Sequence, residues 1–189
     1  RQRQMCIRDR DENTKSTLQG AWRGLSDAAV GEKRRTSSSS GEVRAFSRGY
    51  EFSNQGFLQP PPSPRWKELA LGEGRLRVEE NLPVALAQKR GVSVAVLGLA
   101  IDSEEGISDS DLIADRIADL ILSGNSLEAI DEYVLWLGGR FVLIAGCEDR
   151  WRIHVDAMAS RSCYWTVRNK QLFAASHSAS VSYTHLTLP

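Results

Sequence analysis

The side chains best equipped for chemistry in the body of this sequence are Cys147, Cys163, His154, His177 and the row Asp111, Asp115 and Asp119. A cysteine attacks only as its thiolate, which needs a partnered base or a cationic setting. Cys147 closes an apolar run and Cys163 falls within a predicted strand. Neither has metal-ligand or redox spacing, so both read as small buried hydrophobes. Trp151, Ile153 and Val155 alternate with Arg152 and His154. That puts the imidazole on the polar face of a strand, as a surface or cross-strand residue rather than a base. His177 lies close to the C-terminal end of the readable sequence. The aspartates recur at i, i+4 and i+8 on one face of a predicted helix, where they could gather a cation but read as a solvated face. The sequence contains no glycine-rich phosphate loop, HExxH, CxxC or nucleophile elbow. These residues alone define no active site.

The elements that would position them follow from periodicity. Order is expected to begin between Tyr50 and Leu58. Pro60, Pro61, Pro62 and Pro64 then fix an extended surface connector, which Trp66 anchors to the core. Arg75 to Glu79 and Pro83 to Ala87 flank the turn former Asn81 and predict a hairpin. Val92, Val94 and Val96 alternate with Ser93 and Ala95 in a strand that runs to Ile101. Gly98 within it signals a bulge or a close backbone approach. Ser108 followed by Asp111 resembles a capping box, opening a helix whose apolar stripe is Leu112, Ile113, Ile117, Leu120 and Ile121. Gly124 and Asn125 break it. Ser126 caps a second helix along Leu127, Ile130, Val134 and Leu137, which Gly138-Gly139 ends. Phe141 to Ala145 is the unbroken apolar run of a strand covered on both faces. Glu148-Asp149 turns the chain into the strand of His154, and Tyr164 to Val167 pairs with Leu172 to Ala175 across Asn169-Lys170. Strands, two helices, then antiparallel strands make an α+β domain.

The two ends of the chain stand apart. Arg1 through Arg10 can be encoded by a DNA string whose reverse complement encodes Val181 through Pro189. The string resembles the transposase-end adapter of sequencing libraries, so residues 1–10 and 181–189 are expected to be adapter-derived and are set aside from fold reasoning. Setting aside Arg1, Arg3, Arg8, Arg10 and Asp9 turns 24 basic and 24 acidic residues into 20 and 23. The remainder is mildly acidic, which argues against nucleic acid as a partner. Residues 11–48, rich in serine and charge, read as disordered or as untranslated upstream sequence, and Lys33-Arg34-Arg35 within them as a solvated patch. No apolar run approaches the roughly 20 residues of a membrane span, and the cysteine usage points to a reducing, cytoplasmic setting.

Three stretches in order carry a resemblance. Leu137-Gly138-Gly139-Arg140-Phe141-Val142-Leu143-Ile144 resembles the "L-x-G-[DR]-F-A-F" strand of the glutaminase-like N-terminal domain of asparagine synthetases. His154-Val155-Asp156 through Arg161-Ser162-Cys163-Tyr164-Trp165 resembles that family's "R-D-x-x-G-x-R-P-L-Y-Y", and Leu172-Phe173-Ala174-Ala175-Ser176-His177 its "L-x-F-A-S-E". The resemblance covers roughly residues 57–180, most specifically 136–177, and assigns residues 49–180 to such a domain. It implies antiparallel sheets with flanking helices, like the N-terminal nucleophile hydrolase sandwich. Gly139 and Arg140 match the start of the core strand, and Asp156 and Arg161 match a strand–loop pair that would orient the loop or contact the next domain.

An active domain of this family carries its nucleophilic cysteine at the mature N-terminus. Between the adapter-like ends no cysteine precedes Cys147, Met158-Ala159 replaces a small-Gly arrangement, and His177 stands where Glu is usual. The resemblance therefore implies a degenerate, non-catalytic domain, with no catalytic or metal-ligating residue of its own. Its partner would be the chain's own ligase domain beyond residue 180, and ATP and magnesium would belong there. The competing expectations are a stand-alone binding or scaffold module and an active amidotransferase whose nucleophile lies upstream. The sequence leaves the oligomeric state and the ligase substrate open.

Overall fold

Residues 48–57 and 59–181 are described by the computed structural model. The expectations for residues 1–47, for Leu58 and for 182–189, including the adapter-like ends, the serine-rich tract and the Lys33-Arg34-Arg35 patch, lie outside the described residues.

The described chain is α+β, with two antiparallel sheets. The first is ordered β2-β3-β1-β9-β8, from β1 (Tyr50–Ser53), β2 (Trp66–Leu71), β3 (Gly74–Glu79), β8 (Tyr164–Arg168) and β9 (Gln171–Ala175). The second is ordered β4-β5-β6-β7, from β4 (Val84–Lys89), β5 (Val92–Asp102), β6 (Leu137–Cys147) and β7 (Arg150–Val155). Between β5 and β6 lie α1 (Ser110–Gly124), a 3-10 turn (Leu127–Ile130) and the single-turn α2 (Asp131–Val134).

The apolar run of β6 explains the layering. Phe141, Leu143 and Ala145 pack with Val92, Val94 and Val96 of β5 against Ile113, Ile117 and Ile121 of α1. Val142 and Ile144 face the opposite way, onto Tyr50, Phe52, Leu76 and Leu172 of the first sheet. The β5–β6 ribbon is thus buried on both faces, as its hydrophobic continuity requires. Each fully buried isoleucine of α1 contributes roughly 1.5–3 kcal/mol to holding the helix there.

Several local expectations are met. Trp66 is buried, the Pro60–Pro64 connector is exposed, and the Tyr164–Ala175 hairpin turns through Asn169 and Lys170, both at positive φ. Gly98 has φ +104°, and a Cβ there would strike the carbonyl oxygen of Arg140 and come within 2.6 Å of Arg161 Nε. This is the close approach expected of it.

Other expectations are corrected. Glu79 and Val84 do not bound a hairpin: β3 pairs with β1 and β2, and β4 pairs with β5, so the chain changes sheets at Asn81. The Asn81 amide is satisfied by Glu79 of its own turn, not by a cross-strand partner. The cap of α1 is Asp109, whose carboxylate accepts from Asp111 N (2.9 Å), one residue beyond Ser108. Leu112 is exposed, and Ala114 and Ala118 fill the face instead. The second helix stops at Val134, so Gly138 and Gly139 are not its end but lie inside β6. At φ +108°, Gly139 brings its backbone against Leu99. The aspartate row is a solvated face: Asp115 and Asp119 pair with Lys89 at 3.3 and 3.1 Å.

Candidate functional site

The resemblance-derived positions Arg140 and Arg161 come together and line one cleft. Arg140 is presented by β6 opposite Leu99 of β5. Arg161 sits on the loop that follows β7. Asp156 organises that loop: its carboxylate accepts from Met158 N (3.1 Å), Ser160 N (3.0 Å) and Ser160 Oγ (2.8 Å). Burial opposes the charge on Asp156, but these hydrogen bonds hold its carboxyl below the usual carboxylate range. Arg161 then reaches back across the gap, donating from Nε to the Arg140 carbonyl (3.3 Å) and from Nη1 to the Arg48 carbonyl (3.4 Å). Gly139 is one residue away, and its positive φ sets the backbone course that delivers Arg140. Asp156 itself does not line the resulting cleft.

That cleft has a volume of about 300 Å³ and is walled by Arg48, Arg140, Arg161, Ser160 and Ser162. Its floor is made where β1 meets β9. Tyr50 N donates to Ser176 Oγ (3.0 Å), Ser176 N donates to the Tyr50 carbonyl (3.0 Å), and Tyr50 Oη donates to the Ser162 carbonyl (3.1 Å). Burial pushes the Tyr50 phenol well above its ordinary value, so it stays protonated as a donor. His177 completes the mouth, with Nδ1 2.7 Å from Ser176 Oγ.

Three guanidiniums from separate parts of the chain therefore share one concavity. Among the described residues, none of the three meets a carboxylate at ion-pair distance, whereas Arg65, Arg77, Arg116 and Arg152 all do. Burial lowers the pKa of Arg161 and the charges of Arg140 and Arg48 lower it further, while Tyr50 and Asp156 act the other way. The cleft is a positive, donor-rich concavity. It can hold an anion; it offers no activated thiol. Cys163 lies beneath it with its thiol pushed up by burial, and Cys147 is half-buried at the far end of β6. Both remain free thiols.

Of the two places expected for His154, the surface one is corrected, and the residue stands in register with Leu143 of β6. It is 7 % exposed, on the helix-facing side of β7, with Nε2 3.7 Å from Asp131 Oδ1. The 3-10 turn and α2 cover that side of the sheet, so a strand face that reads as polar is an interior one. There Arg152 reaches Asp131 Oδ2 (2.8 Å) and Glu128 (3.2 Å).

Sequence reasoning did not find Arg48, Ser160, Ser162 or Ser176 as parts of a site. The Arg161–Arg48 contact spans 113 residues, and no local spacing encodes it. Among the described residues no group of three or more His, Cys, Asp or Glu is placed to hold a metal, and no helix is long and apolar enough to cross a membrane. No protein-family model matches the sequence, and no curated protein matches it.

Proposed function

We propose that residues 49–180 are a non-catalytic, glutaminase-like N-terminal domain of an asparagine-synthetase-like, ATP-dependent amide ligase, acting in the cytoplasm. In this reading the sandwich is a truncated relative of the N-terminal nucleophile hydrolase fold. ATP and magnesium are used by a following domain.

One observation carries the reading: the three motifs that suggested it, separate in sequence, converge at one end of the sandwich. Arg140 of the first accepts Arg161 of the second through its carbonyl, and Ser176 of the third closes onto Tyr50 at the same end. The non-catalytic part rests on the thiols themselves: Cys147 is half-buried at the end of β6, and burial raises the pKa of Cys163.

The purified chain incubated with L-glutamine should release no ammonia above a blank; steady turnover would refute the loss of activity. The ligase assignment is tested separately by sequencing the source DNA past residue 180. Continuation into a Ser-Gly-Gly-x-Asp-Ser-like nucleotide loop supports it, and an in-frame stop favours a stand-alone module.

A further inference from the structure

We propose that the cleft between Arg48, Arg140 and Arg161 binds the phosphate group of a small molecule, as a diphosphate or a phosphate monoester. This goes beyond the ligase reading and does not depend on it.

The charge count comes first. Three like charges drawn into one concavity repel one another, and such an arrangement is stabilised when an anion shares it. A monocarboxylate offsets one of the three. A phosphate monoester carries close to two negative charges near neutral pH, and a diphosphate more. The lining adds neutral donors and no carboxylate: the Ser160 and Ser162 hydroxyls stand beside the guanidiniums. Planar guanidinium forks matched to tetrahedral oxyanions are the usual way arginine recognises phosphate.

Preorganisation comes next. Arg161 is fixed by donating to two carbonyls, which still leaves part of its five-donor fork available. Its loop is locked by Asp156, and Arg140 leaves a strand whose backbone is paired throughout with β5. A site already held in place loses less entropy on binding. The volume of about 300 Å³ exceeds what a lone phosphate fills and suits a diphosphate or a phosphate with a small organic group. A nucleic-acid backbone would instead need a basic stripe, whereas these charges lie in one pocket of a chain with 24 basic and 24 acidic residues.

The test is titration calorimetry on the full chain at low ionic strength, with sodium diphosphate, sodium phosphate, ADP and the dicarboxylate succinate as probes. Diphosphate is expected to bind at least tenfold more tightly than succinate and to weaken steeply with added salt. Arg140→Gln should weaken it tenfold or more. Arg150→Gln, at the far end of β7, should leave it unchanged. Arg140 is exposed, so the variant should keep its far-UV circular dichroism. If it does not fold, Arg48→Gln gives the same reading, because Arg48 serves the fold through its backbone N–H and C=O. ADP binding more tightly than diphosphate assigns the phosphate to a nucleotide, equal binding assigns it to free diphosphate, and both uphold the site. Absence of diphosphate binding at millimolar concentration, succinate binding as tightly, or equal losses from Arg140→Gln and Arg150→Gln would overturn it.

Discussion

Acidification from pH 7 to pH 5 should destabilise this fold chiefly through His154. The imidazole is buried, and burial followed by the neighbouring Arg152 charge lowers its pKa from 6.5 to about 4. Asp131 lies close enough to oppose the shift, but its other carboxylate oxygen accepts from Arg152 at 2.8 Å, so its charge is already compensated. The folded state thus disfavours the proton that the unfolded state accepts. The full contribution is present above pH 6.5, declines as the pH falls, and levels off below about 4. At pH 5 the unfolded imidazole is mostly protonated and the folded one mostly neutral, a loss of about 2 kcal/mol relative to pH 7. Asp102, Asp156 and Glu79, whose carboxyls are held low by hydrogen bonds, lose stability only below their unfolded values near pH 4. Glu51, raised by burial, works in the opposite direction and gains stability on acidification. Urea denaturation at pH 7 and pH 5 measures the sum, and His154→Gln isolates the histidine. The variant should lose about 2 kcal/mol less than the wild type over that interval. Equal losses in the two proteins would refute the reasoning.

Two substitutions test the packing around the ends of β5 and β6. Tyr133→Phe removes the hydroxyl that donates to the fully buried Asp102 (2.8 Å), and should cost roughly 1–3 kcal/mol in urea denaturation at pH 7. Gly139→Ala puts a methyl against the Leu99 carbonyl at a φ that L residues rarely adopt. It should lose on the order of 1–3 kcal/mol and lower the melting temperature, whereas Gly106→Ala, in an open turn, should cost less.

What could be read from the sequence follows from the range of each interaction. The Ile113, Ile117 and Ile121 part of the α1 stripe, the two-sided burial of β6 and the Asn169-Lys170 turn are local, set by periodicity or by backbone preference within a few residues, and each is found in place. The expected hairpin at Asn81 failed because two strand-like segments beside a turn former also describe a chain passing between sheets. Only the partner strands β2 and β5, one before and one after, decide between them. The surface placement of His154 failed for the same reason. Alternation correctly put it opposite Ile153, but whether that face meets water depends on the 3-10 turn and α2 packed across it. The cleft was the least legible part, since Arg48, Arg140, Arg161 and Ser176 become neighbours only after both sheets have formed.

The arginines of that cleft divide by duty, and the division bears on why such a cluster exists. Arg161 is engaged structurally: both of its hydrogen bonds go to backbone carbonyls, joining the segment before β1 to β6 across the open end of the sandwich. Its positive charge has a local reason to be there. Arg140 and Arg48 have none of this kind. Among the described residues their guanidiniums take part in no ion pair, and the carbonyl of each, not its side chain, meets Arg161. A fold that needed only the clamp would be served by a neutral residue at both positions, which would also relieve the repulsion on Arg161. Replacing Arg140 should accordingly leave stability unchanged or slightly raised while anion binding is lost. That opposite movement of stability and affinity is the mark of charges held for a ligand rather than for the fold.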